Sequence, residues 1–299
     1  MAGLLSGLDS LGLGGLESLD IFEKPKAPEK DPSSKAVTKT PEKDYLYDRT
    51  FECPVCGNKF TSKTIRTGKA KLLQTDQDLR PQYEGLDLVK YDVPLCPLCG
   101  YAALTRYHSQ ITDTQAKLIK ENISTKVTLK KQTGEIYTYD DAIERYKLAL
   151  VCAVVKRSKD SEKAYICLKS AWLLRGYQEA LKEAQTDPSV LEDNAIDPST
   201  DLTALGTKLE AEENNYLKNA YEGFIEARKK EPFPMAGMDE TTIDYLLCVL
   251  AYRFRQYDVA SRLISGILTS STANNRIKDK TRELKEMIMQ DIKKSRQTS

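Results

Sequence analysis

Cys53-Pro54-Val55-Cys56-Gly57-Asn58-Lys59-Phe60 and Cys96-Pro97-Leu98-Cys99-Gly100-Tyr101-Ala102-Ala103 are two versions of one pattern, and their repetition decides how the chain is read. In each, two thiols separated by two residues can grip one tetrahedral metal from a tight turn. The glycine that follows permits the backbone conformation that aims amide N–H groups at sulfur. One pair alone is ambiguous. Two matching pairs supply the four thiolates of a closed site, so Cys53, Cys56, Cys96 and Cys99 are the expected ligands of one structural Zn2+. The rival reading is a pair of redox dithiols, which needs a thioredoxin-like βαβ context that the sequence does not offer. The 39 residues between Cys56 and Cys96 exceed the usual ribbon spacing, so an elaborated loop must leave the site and rejoin it.

Working outward, Thr50-Phe51-Glu52 and Tyr91-Asp92-Val93-Pro94-Leu95 lead into the two knuckles with the alternation of short strands. Lys59, Lys63, Arg66, Lys69 and Lys71 then make residues 58–71 a ribbon with five basic residues and no acid. Such a ribbon can track phosphates, as in a nucleic-acid-binding regulator. The acidic segment that follows can instead pair with it internally. Asp76, Asp78, Arg80 and Tyr83 in that segment form a candidate recognition loop. An enzyme using the same four beside the metal is the least supported reading. His108 is the single histidine; with four thiolates completing the shell it is expected at the surface or hydrogen-bonded. Its being alone makes most histidine-dependent catalysis improbable. No nucleophile elbow, phosphate loop or dinucleotide fingerprint occurs.

The 299 residues, 40% hydrophobic, suffice for a substantial core, and 45 basic against 44 acidic side chains give no global field towards nucleic acid or membrane. Residues 53–108 are mildly basic, with 8 cations against 5 anions. Of seven cysteines, Cys152, Cys167 and Cys248 remain outside the knuckles, within apolar helical patterns, and are expected as small buried hydrophobes. An odd total with metal-type spacing points to a reducing cytoplasm. No run of 18 apolar residues is present, and the N-terminus lacks the features of a signal peptide.

The chain divides into a Leu/Gly-rich head (1–22), a disordered Lys/Glu/Pro-rich tether (23–44), a zinc-ribbon-like module (45–108), a connector (109–138) and a helical domain (139–296). Leu4, Leu8, Leu11, Leu19 and Phe22 fall near one helical face of the head, but five glycines weaken it. It reads either as a frayed tail or as a linear motif that folds in a groove of this protein or of a partner. Thr112-Asp113 is expected to cap a helix through Asn122, Lys126–Thr138 to form a connector or small hairpin, and Thr138 or Asp140 to cap a helix to Arg157. Further helices are expected from Ser161 to Gln185 with a kink at Gly176, then over 202–230, from Asp239 through Phe254, over 259–268 and over 275–294. Residues 186–200 are expected as a polar loop. In Leu247–Leu268 small and aromatic residues recur as in a tetratricopeptide hairpin, and Trp172–Ala180 is a weaker copy. The expected class is α+β, mainly α: a small N-terminal β module followed by an antiparallel tetratricopeptide-like array.

CPVCGNKF at Cys53–Phe60, Asp76–Tyr83, Tyr91-Asp92-Val93, CPLCGYAA at Cys96–Ala103, Ala142–Leu150, Ala171-Trp172-Leu173 and the Tyr252–Leu268 hairpin occur in order. With them the chain resembles the bacterial domain-of-unknown-function 2225 family over about residues 45–295. The resemblance implies a bacterial cytosolic protein with a zinc-ribbon-like module and tetratricopeptide-like helices, and implies no activity. A closed metal shell joined to repeat-type helices leads to a non-enzymatic adaptor that offers its helices to a protein or peptide partner. No particular oligomeric state follows.

Overall fold

In the computed structural model, which describes residues 40–66, 68–130 and 134–297, the first described element is a 3-10 turn, Glu42–Tyr45, where the sequence suggested the end of a tether. Glu42 accepts from Lys90 Nζ (2.9 Å) and Tyr91 Oη (2.8 Å), which ties this stretch to the body. The head and the first part of the tether lie outside the described residues.

Two antiparallel hairpins follow. β1 (Leu46–Glu52) pairs with β2 (Lys59–Ile65) in the register Leu46–Ile65 to Glu52–Lys59, so the first knuckle is the turn between them. β3 (Leu72–Thr75) pairs with β4 (Pro81–Tyr83) across the tip that carries Asp76, Asp78 and Arg80. The expected strand before the second knuckle is absent. Asp87 accepts from Val89 N–H (3.0 Å) and starts a 3-10 turn, Leu88–Tyr91; only the bridge Leu95–Ala102 brackets the knuckle. A side-chain acceptor placed two residues before an amide outcompetes a weak alternating pattern.

The helices are α1 (Asp113–Ile119, continued by a π turn over Lys120–Ser124), α2 (Tyr139–Val155), α3 (Asp160–Glu183), α4 (Ser189–Asp193), α5 (Leu202–Lys230), α6 (Glu240–Arg253), α7 (Tyr257–Thr269) and α8 (Asn275–Gln297). Residues 186–200, expected as a loop throughout, thus hold the short α4. The described part of Lys126–Thr138 forms no strand. Thr112 and Thr138 each build a capping box, while Asp201 accepts from Thr203 and Ala204 N–H and Asp239 accepts from Thr242 N–H. Such caps satisfy amides that the helix itself cannot, each contributing about 0.5–2 kcal/mol. The architecture is α+β, mainly α, with two small sheets near the N-terminus.

α3 is the axis of the core. It packs on α2 and α5, and Ala171, Leu173 and Leu174 on it are almost wholly buried with Phe224 of α5 and Tyr146 of α2. α6 packs on α5, α7 and α8, with Ala251 and Ala260 fully buried at the α6–α7 hairpin. α3 runs through Gly176 as one helix instead of kinking there; a Cβ at Gly176 would collide with Asp87 Oδ2 and lie 3.0 Å from Arg80 Nη2 and Tyr139 Oη. The glycine serves close approach. No helix among the described residues is long and apolar enough to cross a membrane.

Candidate metal centre

The two knuckles close in the same way. Gly57 N–H donates to Cys53 O (2.8 Å) and Gly100 N–H to Cys96 O (3.0 Å); Cys53 N–H donates to Asn58 O and Cys96 N–H to Tyr101 O, both at 2.9 Å. Both glycines sit at φ +73°, where an L side chain is strained. These turns point four sulfurs at one another. All four Sγ atoms lie within 4.8 Å, with Cys53–Cys99 at 3.5 Å and Cys56–Cys96 at 3.6 Å. A tetrahedral ion with metal–sulfur bonds near 2.3 Å needs sulfurs about 3.8 Å apart, so the donor set fits one metal ion. The sequence-predicted ligands are therefore brought together.

The clustered thiols perturb one another through their hydrogen bonds. Donation from Cys53 and Cys99 holds Cys96 well below the ordinary thiol range. The bond to Cys96 pushes Cys53 up to about 12, and the bonds to Cys53 and then Cys96 raise Cys99. Asn58 Nδ2 lies 3.9 Å from Cys96 Sγ. A metal held by these four sulfurs would require them as thiolates, so its binding would release the protons they share.

Around the sulfurs is a shell that composition did not reveal. His108, expected at the surface or hydrogen-bonded, is buried, with its ring 5.4 Å from Phe51, 6.0 Å from Phe60 and 5.3 Å from Tyr101, which rules out the surface alternative. Burial holds its pKa down at about 4. Cys152 of α2 is a buried thiol, as expected, but it also buttresses the second knuckle: Ala102 N–H approaches its Sγ at 3.5 Å, and the thiol donates to Gly100 O at 3.8 Å. Burial pushes its pKa up to about 11. Its contact was hidden because it lies far along the sequence on a helix.

The candidate recognition loop turns out to be an anchor. Asp78 and Arg80 are each 4% exposed. Arg80 grips Glu179 of α3 with both nitrogens (2.9 and 2.8 Å) and faces Asp87 and Asp76 at 3.6 and 3.7 Å. Arg175 of α3 grips Asp78 with both nitrogens (3.0 and 2.7 Å), reaches Asp76 (3.1 Å), and binds Glu213 of α5 through Nε (2.9 Å). Charged groups taken out of water need such partners, so these residues hold the β3–β4 tip between helices. Tyr83 does not join them; it is half-buried in β4 opposite Leu72. Asp76, Asp78, Arg175 and Glu179 do line one side of an open cavity of about 590 Å³ with Tyr252 and Arg253.

The basic ribbon is spread out and mostly engaged. Lys63 lies 3.7 Å from Asp48, Lys71 pairs with Glu84 at 3.3 Å, and Arg66 folds back to donate to Leu46 O at 3.0 Å. Lys59 stands across from Glu52, and Lys69 is exposed.

A family model described as an uncharacterized protein conserved in bacteria, domain of unknown function 2225, matches residues 46–288. The chain belongs to that family. No curated protein and no solved structure matches it. For this member of the family, the matched span takes in both knuckles, the anchored hairpin and every helix up to the middle of α8, so the four-cysteine cluster and the helices fall within one family match.

Proposed function

We propose that this protein is a zinc-stabilised, non-enzymatic adaptor of the cytoplasm that receives a protein or peptide segment on its helices. The observation that carries this reading is an open groove of about 570 Å³ between α2, α3 and α5. Its lining includes Leu150, Val154, Cys167 and Tyr216, with Asn215 and Asn219 along one wall. Val151 and Val154 on the same helix are 49% and 58% exposed. Aliphatic side chains held open to water beside amides suit an extended or helical segment that buries its own apolar groups and satisfies its backbone there. Small residues at the crossings support a tetratricopeptide-like reading of the helices: a Cβ at Gly223 would lie 2.9 Å from Ala164 Cβ, so α5 and α3 approach closely.

The donor set supports zinc: four thiolates in a closed shell leave no position for water or substrate, which suits a metal in a structural role. Metal analysis of the purified protein is expected to give one zinc per chain; iron or no metal overturns that part. For the groove, full-length protein and Val154→Asp are used as bait. Partners retained by the wild type and lost by the variant, then confirmed with purified components, support the adaptor. An identical captured set overturns it, because Val154 is exposed and its replacement leaves the core intact.

A further inference from the structure

The outer edge of β1 is an unoccupied strand template among the described residues, and its side chains state what fits it. Three hydrogen bonds fix the phase of the β1–β2 ladder. Arg66 N–H donates to Tyr45 O and Cys53 N–H to Asn58 O, so positions 45, 47, 49, 51 and 53 turn their backbone towards β2. Lys63 N–H turns away from β1 and donates to Tyr137 Oη (3.0 Å), which covers the far edge of β2. It follows that Leu46, Asp48, Thr50 and Glu52 direct their N–H and C=O groups outward from β1. Arg66 Nε takes Leu46 O, which closes one end. Asp48 and Thr50 stay open, in a run where Tyr47, Asp48, Arg49 and Thr50 are all exposed.

We infer that this edge accepts an extended peptide carrying basic residues at alternate positions, as a third antiparallel or parallel strand. Side chains with outward-facing backbone share one face of the strand; beyond the buried Leu46, Asp48, Thr50 and Glu52 are exposed on it, so two carboxylates flank Thr50 in an exposed row. The row is already answered on its other flank by Lys63 and Lys59 of β2, across from Asp48 and Glu52. An added strand with alternating lysine or arginine repeats that pairing on the open flank. Antiparallel self-pairing of β1 centred on Asp48, Arg49 or Thr50 sets Asp48 against Asp48, Arg49 against Arg49, or Asp48 against Glu52, and like charges directly opposite are unfavourable, so these registers disfavour a second copy of β1. This surface is independent of the helical groove, and either can fail without the other.

The test uses full-length protein, a blocked heptapeptide alternating lysine with valine, and the same peptide with glutamate for lysine. The lysine peptide is expected to bind and to protect the Asp48 and Thr50 amides from hydrogen exchange, with at least tenfold weaker binding of the glutamate peptide. Thr50→Pro removes an outward N–H without touching the ladder to β2, so it is expected to keep the metal and the melting temperature and to lose binding at least tenfold. Asp48→Lys combined with Glu52→Lys is expected to reverse the preference. The inference is overturned if the lysine peptide does not bind, if the glutamate peptide binds as well, or if Thr50→Pro binds like wild type. Protection of Asp48 and Thr50 before any peptide is added, by self-association or by another part of the chain, also overturns it.

Discussion

Gly57 and Gly100 hold the same place in the two knuckles, with the same φ of +73°, yet a methyl group at Gly57 would meet nothing within 4 Å while one at Gly100 would lie 2.7 Å from Val127 Cγ1. The same contrast runs through their neighbours. Cys96 and Cys99 are backed by Cys152 of α2, whereas Cys53 and Cys56 sit at the end of a two-stranded hairpin. A local motif dictates the turn and the direction of its sulfurs; what surrounds it is decided by packing. The second knuckle is therefore the half of the candidate metal centre packed against a helix, and the first is the half carried on a hairpin.

The largest test of that asymmetry is loss of a ligand. Structural zinc contributes an apparent 10–16 kcal/mol in small metal-folded peptides, so Cys56→Ser and Cys96→Ser are both expected to lose stoichiometric metal and to melt well below wild type. Hydrogen exchange should then separate them: Cys56→Ser frees mainly residues 46–65, and Cys96→Ser also frees residues 95–104. Equal patterns would break the comparison. Next comes glycine replacement. Gly57→Ala carries only the backbone cost, about 1 kcal/mol, while Gly100→Ala adds overpacking against Val127 and is expected to cost about 2–4 kcal/mol in denaturant unfolding.

The shell offers two finer measurements. Because folding depresses the His108 pKa from 6.5 to about 4, the unfolded chain takes up a proton that the folded one refuses as pH falls below 6.5. Its contribution is complete above pH 6.5 and is lost towards pH 4, a slope worth about 1–3 kcal/mol that His108→Gln should remove relative to wild type. The smallest effect is chemical. With pKa values raised to about 11, Cys152 and Cys167 should stay unalkylated by iodoacetamide at pH 8 until the chain unfolds. Labelling of Cys152 in native protein would show that the second knuckle is less firmly seated than its packing indicates.

Sequence disclosed those features whose cause is local. The knuckles are legible because four cysteines at that spacing have one common geometry. The bounds of α5 are legible because Asp201 caps it and Pro232 stops it shortly after Lys230. Burial of Asp78 and Arg80 was not legible, since their partners Arg175 and Glu179 lie 97 and 99 positions away. A charged residue in a polar stretch defaults to solvent unless such a partner is known. The same reason hid His108, whose aromatic box draws on β1, β2 and the second knuckle. Tyr91–Leu95 misled because its alternation is short and Asp87, just upstream, redirects the backbone into a turn.

The missing side chain at Gly176 has a consequence for how the loop between the knuckles finds its seat. A helix repeats its face about every four residues. A loop displaced by one turn along α3 would therefore meet Trp172 or Ala180 in place of a void. Only at position 176 can Asp87 and Arg80 lie flush against the helix. The glycine works as an index notch: it sets which turn of the helix the loop engages, and so keeps the ionic grips of Arg80 and Arg175 in step.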